Sequence, residues 1–191
     1  MHTKLLKSPV ARRLGVAATL LLGALGAQGA QAAVVNSTYI QNSATEIRGQ
    51  LGGYARPTVY VDRNACGEGI PGSAVACGPY TISVGVRFLQ GQENSYGNYV
   101  AKFIIAHEWG HSIQFTRGIY KQAPMQELQA DCVAGTFAKY AQTSLGYPSF
   151  IESAVRSARA AADYSTHGTP SQRDYYSRYG YANGLGRCLS L

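Results

Sequence analysis

The sequence predicts a small α+β domain dominated by helices, with few β-strands. Three observations carry that reading. Only two stretches alternate apolar and polar residues in the manner of strands, and both lie before residue 90. From about Tyr96 the apolar spacing turns helical and is punctuated by helix start and stop signals. There are no internal repeats and no long low-complexity tract, so the elements belong to one layered domain.

The 191-residue chain opens with Lys4, Lys7, Arg12 and Arg13, followed by the apolar run of 14 "LGVAATLLLGALGA" and the small-x-small tripeptide "AQA" at 30 to 32. That succession predicts a secretory signal peptide, residues 1–32, cut after Ala32. The run is shorter than the roughly 18 to 20 apolar residues a bilayer span needs, so no stable membrane span is expected after cleavage. Arg12-Arg13 is only a weak twin-arginine signal, because its surroundings do not otherwise fit one. The expected destination is the periplasm or the medium.

Residues 33–57 are polar, with Gly52-Gly53 and Pro57, and read as an extended lead-in to a domain over 58–191. "TVYVD" (58 to 62) and "YTISVGVRFL" (80 to 89) are the strand candidates, joined by the Gly- and Pro-rich loop "RNACGEGIPGSAVACGP". "NYVAKFIIAHEWGHSIQFTRG" is a helix that stops at Gly118. Pro124 opens a second helix, since proline is tolerated in the first turn. Ser149 with Glu152 reads as a capping box for a third, running to about Tyr164, and Thr169-Pro170 with Gln172 repeats the signal for a fourth that ends before Gly184.

Formal charge is +7 for the chain, but with four of the 17 Lys and Arg in the leader, 13 remain against 10 acids, a balance of +3. No basic patch remains that would suggest nucleic acid. Cys66, Cys77, Cys132 and Cys188 all fall in the exported part, which favours two disulfides over free thiols or a thiolate zinc site. Of the three possible pairings we prefer Cys66 with Cys77 and Cys132 with Cys188; the first would staple the Gly-rich loop.

The chemistry concentrates in "AHEWGHSIQ", residues 106 to 114. A helix stacks positions i and i+4 on one face, so His107 and His111 could hold one ion between their imidazoles, with Glu108 beside it. From this composition, HExxH is expected by accident about 0.003 times in such a chain. The motif also sits in a strongly apolar helix, which polar groups enter cheaply only when paired or coordinated.

A catalytic zinc site usually has three protein ligands and an open position. Glu127, 16 residues after His111 at the start of the next helix, is the expected third ligand. Asp131, one turn further on, is expected to accept a proton from a histidine's remaining ring nitrogen. Taken alone, both would read as exposed helix carboxylates.

"AHEWGHSIQ", "ELQADCVAG" and "HGTPSQRDYYSRYGY" followed by Cys188 together resemble the bacterial neutral zinc metallopeptidase family, from about Val59 to Cys188 and with the three blocks in the family's order. The resemblance implies a zincin-like fold with Zn2+ on His107 and His111, Glu108 as catalytic acid/base and Glu127 as third ligand. Similar chains carry cysteines near these four positions, which supports both pairings.

The expected activity is then that of an exported zinc-dependent endopeptidase acting on a protein or peptide substrate, with Glu108 taking a proton from a zinc-activated water and passing it to the leaving amine. The strand "YTISVGVRFL" could offer its edge to an extended substrate, or serve as an ordinary core strand. His167, in "STHGTP", is the third histidine after the leader; it reads either as a loop residue or as an oxyanion donor, and the "HG" block shared with the family favours the donor. The alternative function is a non-catalytic, zinc-stabilised binding or assembly protein. An intact Glu108 argues against it, because a structural site needs no base and usually closes with four protein ligands.

Overall fold

The computed structural model describes residues 32–67 and 72–191; the expected leader, but for Ala32, lies outside them. Among the described residues seven helices and one three-stranded sheet form the helix-dominated α+β domain the sequence predicts.

The segment expected to be an extended lead-in is instead helix α1, Ser37–Leu51. Asn36 caps it by accepting from the Tyr39 N–H, and Ile40, Ala44, Ile47 and Leu51 form a stripe buried against the core. Four apolar residues at helical spacing are enough once a core exists to receive them, the buried Ile40, Ile47 and Leu51 each contributing about 1.5–3 kcal/mol. Gly52-Gly53 marks the end of this helix rather than an irregular stretch.

Strand β1, Thr58–Val61, is parallel to β3, Thr81–Val84, which also pairs antiparallel with β2, Ala74–Ala76. β3 is thus central, and it stops five residues short of the expected strand. Gly85 turns the chain into helix α2, Val86–Tyr96, whose Leu89 is buried. The reading of "YTISVGVRFL" as a strand with an edge to offer is therefore corrected: both of its edges are filled. The outer edges belong to β1 and β2; β2, the one against α3, lies in the Gly-rich loop that carries no strand signal in the sequence.

Helix α3, Val100–Arg117, carries HExxH and is closed by Gly118 in the left-handed conformation, its N–H returning to the carbonyls of Gln114 and Phe115. Helix α4, Met125–Ser144, follows Pro124. Helix α5, Ile151–Ala160, is shorter than expected, and Ser149 does not cap it. Ser149 Oγ instead lies 3.4 Å from the Tyr181 hydroxyl, and Glu152 accepts two bonds from Arg178 at 2.6 and 2.8 Å. The Thr169–Gln172 capping box is present on α6, Pro170–Asn183, and a short α7, Leu185–Leu189, ends the chain.

α3 lies against the sheet on one side and α4 on the other, so it is buried almost all round and its Trp109, fully buried, donates to Ala55 O at 3.1 Å. Gly110, between the two histidines, lets α4 approach: a Cβ there would sit 3.0 Å from Ala130 Cα. Gly180 does the same for α6, its missing Cβ leaving room for the Cys132 backbone carbonyl.

Cys66 is bonded to Cys77 and Cys132 to Cys188, as preferred from the sequence. The second bridge closes a 56-residue separation, which in the chain-entropy account is worth about 4 kcal/mol. No helix among the described residues is long and apolar enough to cross a membrane.

Candidate metal centre

His107 and His111 project from one face of α3, and Glu127 reaches them from the first turn of α4. His107 Nε2 lies 3.1 Å from His111 Nε2 and 3.1 Å from Glu127 Oε2, and His111 Nε2 lies 3.3 Å from Glu127 Oε1. One ligand atom from each of the three falls within 4.8 Å of the others, so the group could hold a metal ion. Ligands about 2.0–2.1 Å from a tetrahedral zinc are about 3.3 Å apart. The 3.1 Å between the two Nε2 atoms is close to that spacing, and Glu127 approaches each histidine with a different oxygen.

The remaining ring nitrogens are each held. His107 Nδ1 is 2.9 Å from Asp131 Oδ1, and Asp131, fully buried, accepts from Arg173 Nε and Nη2 at 2.7 Å each. His111 Nδ1 is 2.8 Å from Gln114 Oε1. Gln114 Nε2 in turn donates to Gln126 O at 2.7 Å and to Gln129 Oε1 at 3.0 Å, while Gln129 Nε2 donates to Cys188 O at 3.0 Å. Acceptors on both Nδ1 atoms leave the Nε2 lone pairs for a shared ion.

The charge balance follows from this arrangement. Burial would depress the His107 imidazole, but hydrogen bonds and charge from Asp131 and Glu127 outweigh it, and its pKa is pushed up to about 10. Burial would raise the Glu127 carboxyl, yet the two histidines hold it well below the usual carboxylate range. Asp131 is lowered too, against burial, chiefly by the Arg173 guanidinium. Without an ion, a proton on His107 compensates the carboxylates.

Glu108, one residue past His107 and 8% exposed, turns to the other side of the cluster. Its Oε2 accepts from the Ala76 N–H at 2.8 Å, and its Oε1 has no bonded partner among the described residues. The ladder explains why that amide is available. Cys77 donates to Thr81 O and Gly85 to Ser73 O, so the bonded pairs of the β2–β3 ladder fall on Ser73 and Cys77. Ala74 and Ala76 therefore turn their N–H and C=O groups away from β3, towards α3.

His167 sits in the turn before α6, its side chain 42% exposed and its Nε2 3.7 Å from Glu127 Oε2. Asp163 fixes it, with Oδ2 2.7 Å from His167 Nδ1 and Oδ1 accepting the backbone N–H groups of Ser165, Thr166 and His167. Two cavities of about 310 and 320 Å³ flank the cluster and share His107, Glu108, His167 and Ala74 in their walls.

His107, Glu108, His111, Glu127 and His167 thus line one cleft, with Asp131 buried behind His107. Sequence reasoning missed the residues that hold them: Arg173, Gln114, Gln129, Asp163 and the Ala76 amide. Gln114 alone left a signal, three residues after His111 on the same helix face.

No protein-family model matches this chain, and no solved structure matches it. It is similar to uncharacterized proteins of Mycobacterium bovis and of two strains of Mycobacterium tuberculosis, each 27% identical over an alignment of 187 residues that covers 70% of this chain and 61% of the relative. The chain spans about three fifths of the length of the curated relatives it matches.

Proposed function

We propose that this protein is an exported zinc-dependent endopeptidase. The observation that carries the reading is the division of labour between neighbouring side chains: three donors converge on one point, while Glu108 stands beside them with one carboxylate oxygen uncommitted. Two imidazoles and one carboxylate are a donor set suited to zinc with a position left open. Zinc bound there would supply a Lewis acid that lowers the pKa of water and polarises a carbonyl oxygen.

The chain's own residues supply the rest. Asp131 and Gln114 keep the His107 and His111 rings in the tautomer that points Nε2 inward. Glu108 Oε1 takes a proton from the attacking water and returns it to the leaving amine. His167, whose Nδ1 is held by Asp163, donates from Nε2 in its imidazolium form to the oxygen on which charge develops. Ala74 offers its outward N–H and C=O to an extended backbone, because β2, unlike β3, is an edge strand. Two disulfides support an oxidising compartment, in keeping with export.

The test is metal analysis of the purified chain from Ala33 onward, with casein cleavage measured before and after chelation and after zinc is restored. About one zinc per chain and chelator-sensitive cleavage are expected. A full zinc complement with no hydrolysis of casein or of peptides would sink the reading and favour a non-catalytic metal site.

A further inference from the structure

The 310 Å³ cavity beside Glu108 has a wall built from three helices, each contributing residues one turn apart. On α3, Phe103 and Ile104 precede His107 and Glu108 by four positions, so the face that carries the base continues as an apolar surface. On α2, Phe88 and Gln92 share a face in the same way, and α5 adds Ala158 and, at its end, Ala161. The surface is apolar and its alanines leave the volume open.

Polar residues also line the cavity, Ser73 and Arg173 in addition to the histidines and Glu108, and within the helical wall Gln92 and Ser157. Ser157, 5% exposed, donates its hydroxyl to Gln92 Oε1 at 2.8 Å, which fixes the Gln92 amide. Gln92 Nε2 then has no acceptor among the described residues, and Gln92 is only partly buried at the cavity wall. The cavity across the cluster differs in kind, lined by Glu127, Gln126 and His111. An extended chain lying along β2 would therefore place neighbouring side chains in unlike surroundings.

We propose that the cavity formed by α2, α3 and α5 receives the side chain of a substrate residue adjoining the scissile bond, that it selects large aromatic side chains, and that Gln92 Nε2 favours tyrosine over phenylalanine. The proposal rests on the endopeptidase reading. A largely apolar helical wall with an uncommitted amide donor at Gln92 suits a ring that carries an oxygen at its far end. Alanine at the same substrate position would leave the cavity unfilled.

The experiment uses the zinc-loaded chain from Ala33 onward and blocked peptides that vary one residue at a time, with cleavage positions read by mass spectrometry. An aromatic residue is expected at one fixed position next to the cleaved bond, favoured over alanine by roughly 10²-fold in kcat/KM. Ala161→Trp, at an exposed position that tolerates bulk, should lower that preference, read as the aromatic-to-alanine ratio of kcat/KM, at least tenfold. Gln92→Leu should bring tyrosine and phenylalanine from roughly a tenfold difference to parity. As a readout independent of turnover, N-acetyl-tyrosinamide should shift the methyl resonances of Ala158 and Ala161, and Ala161→Trp should abolish the effect. Cleavage without aromatic selection, or selection unchanged in both variants, overturns the assignment and leaves the endopeptidase standing. Failure to cleave any peptide removes both, even if the amide probe binds.

Discussion

Arg173 and Asp131 meet through two 2.7 Å hydrogen bonds with their side chains 6% and 0% exposed, so a guanidinium on α6 and a carboxylate on α4 neutralise each other out of reach of water. Because Asp131 also holds His107, the pair joins the folding of α6 to the aim of a candidate ligand.

Breaking that pair should show in two measurements at once. Arg173→Ala leaves a buried carboxylate uncompensated, at a cost of about 3–5 kcal/mol. It should also lower zinc affinity roughly tenfold by loosening the partner of His107. Urea unfolding and chelator competition on the same sample decide the matter; lost stability with unchanged affinity would separate Asp131 from the metal site.

Glu108 and Glu127 are both carboxylates in one cleft, and their substitutions should part company. Glu108→Gln should keep about one zinc per chain and lose hydrolysis, since proton transfer and not coordination is its assigned part. Glu127→Ala should lose the metal. Full occupancy in Glu127→Ala would move the third ligand elsewhere, and undiminished turnover in Glu108→Gln would remove the base.

Metal binding should release a proton. In the metal-free protein the carboxylates keep His107 protonated up to about pH 10, whereas a bound ion needs its Nε2 lone pair. Between pH 7 and 9 the ion must therefore displace about one proton, and apparent affinity should rise about tenfold per pH unit. Calorimetry in buffers of differing ionisation enthalpy reads the proton count directly; a count of zero contradicts the electrostatics described for His107.

His167→Ala should leave zinc content intact while kcat falls roughly 10²- to 10³-fold, the loss associated with one oxyanion donor. Asp163→Asn, which keeps the backbone bonds but weakens the Nδ1 contact, should fall between that variant and the parent. Zinc loss would make His167 a ligand, and normal turnover would leave it a turn residue.

What the sequence made legible was what local physics determines. HExxH places its side chains by helix geometry alone, and Gly118 and the Thr169–Gln172 box end and begin helices through bonds within a few residues. α1 escaped because Ile40, Ala44, Ile47 and Leu51 are sparse among polar residues and become a stripe only when a core covers them. β2 escaped because "AVA" has no strand signature, and pairing with β3 makes it one. Arg173 is 42 positions from Asp131, and nothing near it in sequence announces a buried partner.

The order in which the support for the metal centre occurs along the chain has a consequence for synthesis. All three candidate ligands have been polymerised by residue 127, but Asp163, Arg173 and the Cys188 carbonyl that anchors Gln129 come later. A chain emerging amino end first carries its histidines for the time needed to add some sixty more residues before the groups that hold Asp131 and Gln129 in place arrive. The ligands are made early and set late. On the reading that this is an exported peptidase, the full set of contacts behind its metal centre is complete only once translation has reached the second cysteine of the long bridge.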